Sequence, residues 1–413
     1  MTGAQDSAAQ GSAAQDSVLD GTRAGRRRPG GRWDRLAVGA LYAGGFLGPF
    51  GAGMVTPVLP EIGADFHTSA GNAALSVTAY LLPFAAFMLV SGTLGERWGA
   101  VRTTRIAYVG YLVVSLVCVL PGPFWLFLLA RAGQGAANSF TTPLLLAALA
   151  EIVPRERLGR ALGLFGSLQA AGQTTAPLIA GLLAAASWRY AFIASAAVAG
   201  LLAVVGLPAV VADRPRSTTV QTLRSAFRPA VLRIGVAGFL GWGCLGGLAF
   251  LVSFRAGDAF GLSAGGRGVL LTVFGIAGIL TARPVGRLVD RWGGPRSVAV
   301  GMTCGAVLLA GVGLVPSSIV AGVLWGLCGV ASQFVLVGVN SMALSGEGDL
   351  AGNRGGAVSV VQACRFLGAA ATPAVFTPAY HASPLASFLV PAGLLVAGTP
   401  SVLLGRRSER DTQ

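Results

Sequence analysis

At 413 residues, 54 % apolar and only 11 % charged, the chain has too little polar surface for a soluble protein of this size. Long apolar runs with few charges mark a bilayer protein. The formal net charge is +14 and all 30 basic residues are arginine, but they fall mostly in short gaps between apolar runs, so no nucleic-acid partner is expected.

Residues 1–35 repeat the word A-Q-D-S and end in Arg23, Arg26, Arg27, Arg28, Arg32 and Arg35. Without hydrophobic periodicity they read as a disordered basic tail. The following run is too long for a signal peptide and has no cleavage site, so it reads as a retained first membrane helix. Twelve apolar stretches follow one another at about 36–60, 73–94, 105–121, 124–150, 159–186, 190–211, 231–254, 267–286, 297–315, 317–345, 356–378 and 384–405. A span needs about 20 residues for a hydrocarbon core of about 30 Å. Backbone groups in lipid must bond internally, so each stretch is predicted helical. The division is an N-terminal six-helix bundle at 36–211, a linker at 212–230, a second bundle at 231–405 and a short tail at 406–413.

With the N-terminus inside, the tails and inward loops hold 24 arginines, the outward loops hold Arg189, Arg255 and Arg267, and three lie within spans. Basic residues are retained on the cytoplasmic side. Both termini are therefore expected in the cytoplasm, with the protein in the cell membrane.

Gly92 to Gly99 reads G-T-L-G-E-R-W-G, and Gly286 to Gly293, 194 residues later, reads G-R-L-V-D-R-W-G. A second pair, Gly172-x3-Ala176-Pro177 and Gly368-x3-Thr372-Pro373, recurs at an offset of 196. Two motif pairs at nearly one offset indicate two related halves. Parallel repeats in a helical membrane protein point to a transporter with its site between the halves.

These motifs resemble those of the major facilitator superfamily, in its twelve-helix drug and metabolite antiporter branch. The resemblance implies an all-α membrane protein of two pseudo-symmetric six-helix bundles. Gly92, Glu96, Arg97 and Gly99, with Gly286, Asp290, Arg291 and Gly293, match the family's gating loop; Glu96 stands where Asp is usual and Ala100 where a basic residue is usual. Arg131-x-x-Gln134-Gly135 is similar to the motif whose buried arginine is associated with proton coupling. Gly163, Gly172, Ala176, Pro177, Ala180 and Gly181 resemble the antiporter motif, with Ala replacing Gly twice, and imply efflux. Trp188-Arg189-Tyr190-x-Phe192 resembles the same branch.

Three arginines fall within predicted spans. Arg365 lies about ten residues from its helix end, roughly 15 Å at about 1.5 Å per residue. An arginine there costs about 2.5–3.5 kcal/mol on insertion scales. It either faces a cavity or bonds backbone carbonyls, and the first is expected. Arg131 is similarly placed, with Gln134 and Asn138 on its face. Arg283 either serves the cavity or reaches the interface. All 16 acids fall in tails, loops or helix ends. Glu61 is the nearest candidate proton carrier, with a hydrated loop acid as the simpler reading. Unpaired arginines would favour a polar or anionic substrate, and Phe46, Phe50, Trp242, Phe250, Gln333 and Asn340 are candidates to complete an amphiphilic pocket.

The expected function is secondary active export of a small amphiphilic drug, antibiotic or metabolite, in exchange for protons. The alternatives are a facilitator or importer of an organic anion and, more remotely, a non-transporting receptor. No enzyme activity, cofactor or metal site is expected. The five cysteines lie inside apolar runs, His67 and His381 are isolated, and the chain has no lysine for a phosphate-binding loop. The expected partners are a small molecule, protons and the lipid bilayer, with the protein a monomer.

Overall fold

The computed structural model of the chain describes residues 32–208, 228–344 and 354–410, and the regular elements among them are all helices. The predicted tail up to residue 31, residues 212–227 of the predicted linker and residues 411–413 lie outside the described residues. In the N-terminal half the helices are α1 (Arg32–Gly53), α2 (Leu59–Asp65), α3 (Ala70–Arg97), α4 (Ala100–Val119), α5 (Phe124–Ile152), α6 (Arg155–Leu183) and α7 (Arg189–Val205). The C-terminal half holds α8 (Pro229–Cys244), α9 (Ala249–Asp258), α10 (Ala264–Trp292), α11 (Gly294–Leu314), α12 (Ser318–Leu344), α13 (Arg354–Ala382) and α14 (Ala386–Arg410). Among the described residues nine segments are long and apolar enough to cross a membrane. With α5, α6 and the shorter apolar α7 they make up the twelve predicted spans.

The first and seventh spans are each two helices. A 3₁₀ turn at Thr56–Val58 joins α1 to α2, and another at Gly246–Leu248 joins α8 to α9. The first span therefore runs to Asp65 rather than ending near residue 60, and Arg255 sits in α9 rather than in a loop. Pro57 and Pro60 remove two backbone donors at the first break, which favours a turn there. A broken helix in a membrane protein is tolerated when other groups bond the freed carbonyls. The Pro57 carbonyl accepts from Arg267 Nε at 2.8 Å, and the Gly247 carbonyl accepts from Thr372 Oγ1 at 3.0 Å.

The sequence repeat is also a repeat of contacts. In one half α3 packs on α5, α4 on α5 and α7, and α1 on α6; in the other α10 packs on α12, α11 on α12 and α14, and α8 on α13. A Cβ at Gly135 would stand 1.9 Å from the Tyr80 carbonyl oxygen, and one at Gly329 would stand 2.1 Å from that of Phe274. The two glycines are 194 residues apart, and so are the two residues they meet. Gly172 on the Phe46 carbonyl and Gly368 on the Phe239 carbonyl form a second matched set, at 2.3 and 2.1 Å. Only glycine permits helix backbones this close, and small residues at such crossings are how membrane helices pack without a hydrophobic driving force.

The halves meet along two helix pairs, α6 on α10 and α13 on α3. Both pairs are tight at the end of the molecule opposite the Gly92–Gly99 and Gly286–Gly293 loops. A Cβ at Gly181 would lie 2.4 Å from the Ala264 carbonyl oxygen, and one at Gly268 would lie 2.4 Å from that of Pro177. Gly71 abuts Thr377 and His381, Thr78 Oγ1 donates to the Ala370 carbonyl at 2.7 Å, and Phe84 meets Phe366 edge-on at 4.9 Å. Toward the motif end the helices diverge. A Cβ at Gly159, Gly163, Gly166 or Gly286 would meet nothing within 4 Å. The molecule is thus closed at the far end and parted at the motif end.

Large apolar side chains such as Leu201, Val204, Val307 and Ile319 stand exposed around the bundle. This is the surface that a bilayer covers and water would not tolerate.

Candidate functional site

The two copies of the repeated loop fold alike. Gly99 and Gly293 each end a helix with positive φ, at 93° and 80°, a conformation that glycine adopts without steric cost. The tryptophan before each is held by a stacked phenylalanine: Trp98 on Phe140 at 6.2 Å and Trp292 on Phe334 at 5.9 Å. Sequence reasoning missed Phe140 and Phe334, although their separation of 194 residues matches that of the two loops. Gly92 is half-buried and a Cβ there would lie 3.4 Å from Pro143, whereas a Cβ at Gly286 would meet open space. Arg97, Asp290 and Arg291 are exposed, and the Glu96 side chain lies outside the described residues. Among the described residues no ion pair joins Arg97, Asp290 or Arg291 across the motif end.

The antiporter-like motif divides its work. Gly172 and Ala176 pack on α1, the latter beside Gly53, while Pro177 and Gly181 meet α10 of the other half. Ala180 is wholly buried. Gly163, expected to pack closely with the rest, stands free instead: a Cβ there would meet nothing within 4 Å.

Arg131 is fully enclosed within the N-terminal half. Its Nε donates to the Ser76 carbonyl at 3.3 Å, and its Nη1 donates to the Gly51 carbonyl at 3.1 Å and to Gln134 Oε1 at 2.7 Å. Gln134 Nε2 passes the chain to Ser115 Oγ at 2.7 Å, and Ser115 donates to the Tyr111 carbonyl. The guanidinium also lies over Tyr80, 4.5 Å from the ring centroid. Carbonyls of α1 and α3, together with Gln134, take the protons of Nε and Nη1, while Nη2 is enclosed with no hydrogen-bond partner among the described residues. Asn138 is buried against Gly48 and accepts from Thr141.

Arg365 differs. Its side chain is only half-buried, and its Cζ lies 4.5 Å from the ring centroids of both Trp242 and Phe366. Its Nε is enclosed with no hydrogen-bond partner among the described residues. Arg283, expected within the membrane, is exposed on α10, two helical turns from Asp290 and toward the parted end. Its exposure, which spares the guanidinium burial in the protein, accounts for its tolerance.

Glu61 lies in α2 rather than in a loop. Its Oε1 pairs with Arg267 Nη2, and its Oε2 is enclosed without a hydrogen-bond partner among the described residues. Arg267, read from sequence as part of an outward loop, is 5 % exposed in the first turn of α10, because that helix starts at Ala264. With bonds to Pro57 and Glu61 of the other half and to the Leu262 carbonyl at 3.2 Å, it ties the halves together at the far end. The basic residue before an apolar run is visible in the sequence, but its partner 206 residues away is not. One helical turn beyond Glu61, Asp65 pairs with Arg189 at 2.6 Å, and Arg189 Nε donates to the Val119 carbonyl.

Of the pocket candidates, Phe46 stacks on buried Phe50 at 5.6 Å, and Trp242 holds Arg365. Phe250 is a correction: it is 1 % exposed, packed edge-on to Phe254 at 5.7 Å within its own half, because the broken seventh span turns it into the core. Gln333 is half-buried against Gly278, and the Oδ1 of half-buried Asn340 is enclosed without a hydrogen-bond partner among the described residues. The five cysteines are all free, and among the described residues no cluster of His, Cys, Asp or Glu could hold a metal.

Twelve spans in two pseudo-symmetric bundles, closed together at one end and parted at the other, define the class: a multi-pass membrane protein with a transporter fold. Residues 41–373 match the family model described as Major Facilitator Superfamily, and the chain belongs to that superfamily, one of transporters and not of enzymes. It is 32 % identical over 178 residues to the drug efflux pump JefA of Mycobacterium tuberculosis, covering 42 % of this chain and 35 % of that protein. It is 30 % identical over 210 residues to the multidrug resistance protein B homolog of the same organism, covering 49 % and 38 %. The matched part thus spans little more than a third of these curated relatives. Among solved structures, a bacterial homolog of the human lysosomal transporter Spinster, inward-facing and occupied, superposes with a TM-score of 0.72 at 16 % identity, over 92 % of this chain and 98 % of that one. The human organic anion transporter MFSD10 (TETRAN) superposes with a TM-score of 0.66 at 17 % identity, over 89 % and 99 %.

Proposed function

We propose that the protein is a secondary active exporter of a small amphiphilic compound, working by alternating access in exchange for protons. The observation that carries this reading is the asymmetry of the two ends. The halves touch backbone to backbone at Gly181–Ala264 and Gly268–Pro177, while the small residues of the same helices stand free at Gly163, Gly166 and Gly286. Rocking about such a contact exposes a central site to each side in turn. The motif end faces the cytoplasm in this reading, because most arginines lie there and basic loops are retained inside. The bundles are 36–211 and 231–405, joined by a cytoplasmic connection at 212–230, and the protein works in the cell membrane as a monomer.

Export is supported by the antiporter-like run in α6 and by the names of the efflux-pump relatives. Glu61 carries the proton in this reading. Protonation removes its attraction to Arg267, frees the far end and so couples proton entry to opening on that side. The other acid close by on α2, Asp65, is engaged by Arg189.

A second reading, facilitated movement of an organic anion, is favoured by the absence of any mid-span acid from the sequence. Vesicles carrying the purified protein and an imposed pH gradient separate the two. Export should accelerate when protons can run inward through the protein, and Glu61→Gln should abolish that acceleration. Transport indifferent to the gradient in both directions would remove the exchange of protons.

A further inference from the structure

Among the membrane-embedded arginines, the described contacts leave Arg365 with the least satisfied charge. Arg131 donates to two carbonyls and Gln134 and leaves only Nη2 without a partner among the described residues, and Arg267 has Glu61 and two carbonyls. Arg365 has two rings against it and an enclosed Nε with no hydrogen-bond partner among the described residues. It stands 11 residues from the start of α13 and 17 from its end, so it lies well inside the span. Asp258 and Asp290 of the C-terminal half sit at opposite ends of the molecule, and Asp258 already accepts from Tyr380 at 2.9 Å.

Rings against a guanidinium stabilise its charge through their π-faces and leave its N–H edge to bind something planar and negative. A carboxylate fits that edge with two parallel hydrogen bonds. The surroundings fix the rest of the ligand. Phe366 is met edge-on by Phe84 from the other half, and Phe84 in turn stacks near Tyr80 at 6.3 Å. A bound molecule would lie among these rings at the seam between the halves. A single cation at the site calls for one negative charge; a second would go uncompensated.

We propose that Arg365, held by Trp242 and Phe366, is the binding site for the carboxylate of an aromatic monoanion. The inference rests on the exporter reading only in making that anion the cargo. Binding across Phe366 and Phe84 places the ligand where the halves must shift past one another, so occupancy bears on the equilibrium between open and closed ends.

The test uses the purified full chain in a neutral detergent with radiolabelled 2-naphthoate, and with 2-naphthamide and 2-naphthylmethylammonium as neutral and cationic competitors. Saturable 2-naphthoate binding is expected, with both competitors at least tenfold weaker. Arg365→Gln should weaken binding at least tenfold, and Arg365→Lys should weaken it less, since the charge stays and the planar edge goes. Trp242→Leu should weaken it several-fold. If Arg365→Gln fails to fold, the competitor ranking on the unaltered protein and the Arg365→Lys variant decide. Equal binding of the amide or ammonium, or unchanged 2-naphthoate affinity in either Arg365 variant, would overturn the site. Transport in vesicles separates this from the wider reading. An ammonium probe moved by a protein that ignores 2-naphthoate leaves the exporter and removes the anion site. A protein that binds 2-naphthoate and moves no probe leaves the site and removes the exporter.

Discussion

Arg131 and Arg365 both lie inside spans, 7 residues from the start of α5 and 11 from the start of α13, and the structure surrounds them differently. Arg131 reaches α1 and α3 from α5, so it works as a brace among three helices, with Tyr80 and Phe192 against its charge. Truncating one member of a buried charged network strands its partners; the cost is about 3 kcal/mol or more. Arg131→Met should therefore lower the thermal midpoint in detergent by several degrees, read by intrinsic fluorescence. Arg365→Gln should leave the midpoint within about a degree, since at about 1–3 kcal/mol per orphaned group the penalty falls on partners, and among the described residues the Arg365 Nε has no hydrogen-bonded partner to orphan. Equal destabilisation by both variants would refute the division of labour. Hydropathy alone places both arginines in the membrane. It cannot separate them, because the Gly51 and Ser76 carbonyls that accept from Arg131 are backbone groups, and any residue supplies one.

At the scale of elements, the glycine crossings are where the repeat becomes physical. Gly135 against α3 and Gly329 against α10 bring a helix onto a carbonyl in each half. Adding one methyl there forces the backbones apart, and overpacking of this kind costs about 1–3 kcal/mol. Gly135→Ala and Gly329→Ala should each destabilise by about that much, whereas Gly110→Ala, whose Cβ would meet nothing within 4 Å, should not. Thermal unfolding of the three variants side by side checks this. Hydropathy and the two motif pairs make the twelve spans and their halving legible in the amino-acid order itself. The 3₁₀ breaks at Thr56–Val58 and Gly246–Leu248 are not legible there, since a broken helix in an apolar run keeps the same composition on either side. That is why Glu61 and Arg255 read as loop residues and Phe250 as a pocket wall. The link from Glu61 to Arg267 belongs to the same gap, because it depends on which end of α2 meets which turn of α10.

For the molecule as a whole, the geometry among the described residues shows one latch, at the far end. At the far end Glu61, Arg267 and Pro57 join the halves, and removing the charge of Glu61 weakens that tie. Coupling energies of about 1–3 kcal/mol shift a two-state ratio by at least about fivefold. Spin labels at exposed Ala64 and Ala259 should thus show a larger population of long distances in Glu61→Gln than in the unaltered protein. A matching distribution would mean that backbone packing alone holds this end. The motif end carries the complementary expectation. If α6 and α10 close there when the far end opens, Gly163 and Gly166 become crossing points, as Gly181 and Gly268 are now. Gly163→Trp fits the present state, where a Cβ meets nothing, and blocks the other. The variant should fold with an unchanged thermal midpoint, bind cargo from the motif end and fail to complete a cycle. Labels at exposed Leu162 and Arg287 should report one distance in the variant under every pH gradient, and two in the unaltered protein. Full transport by Gly163→Trp would show that these helices do not close on one another, and the motion would have to be sought along α3 and α13 instead.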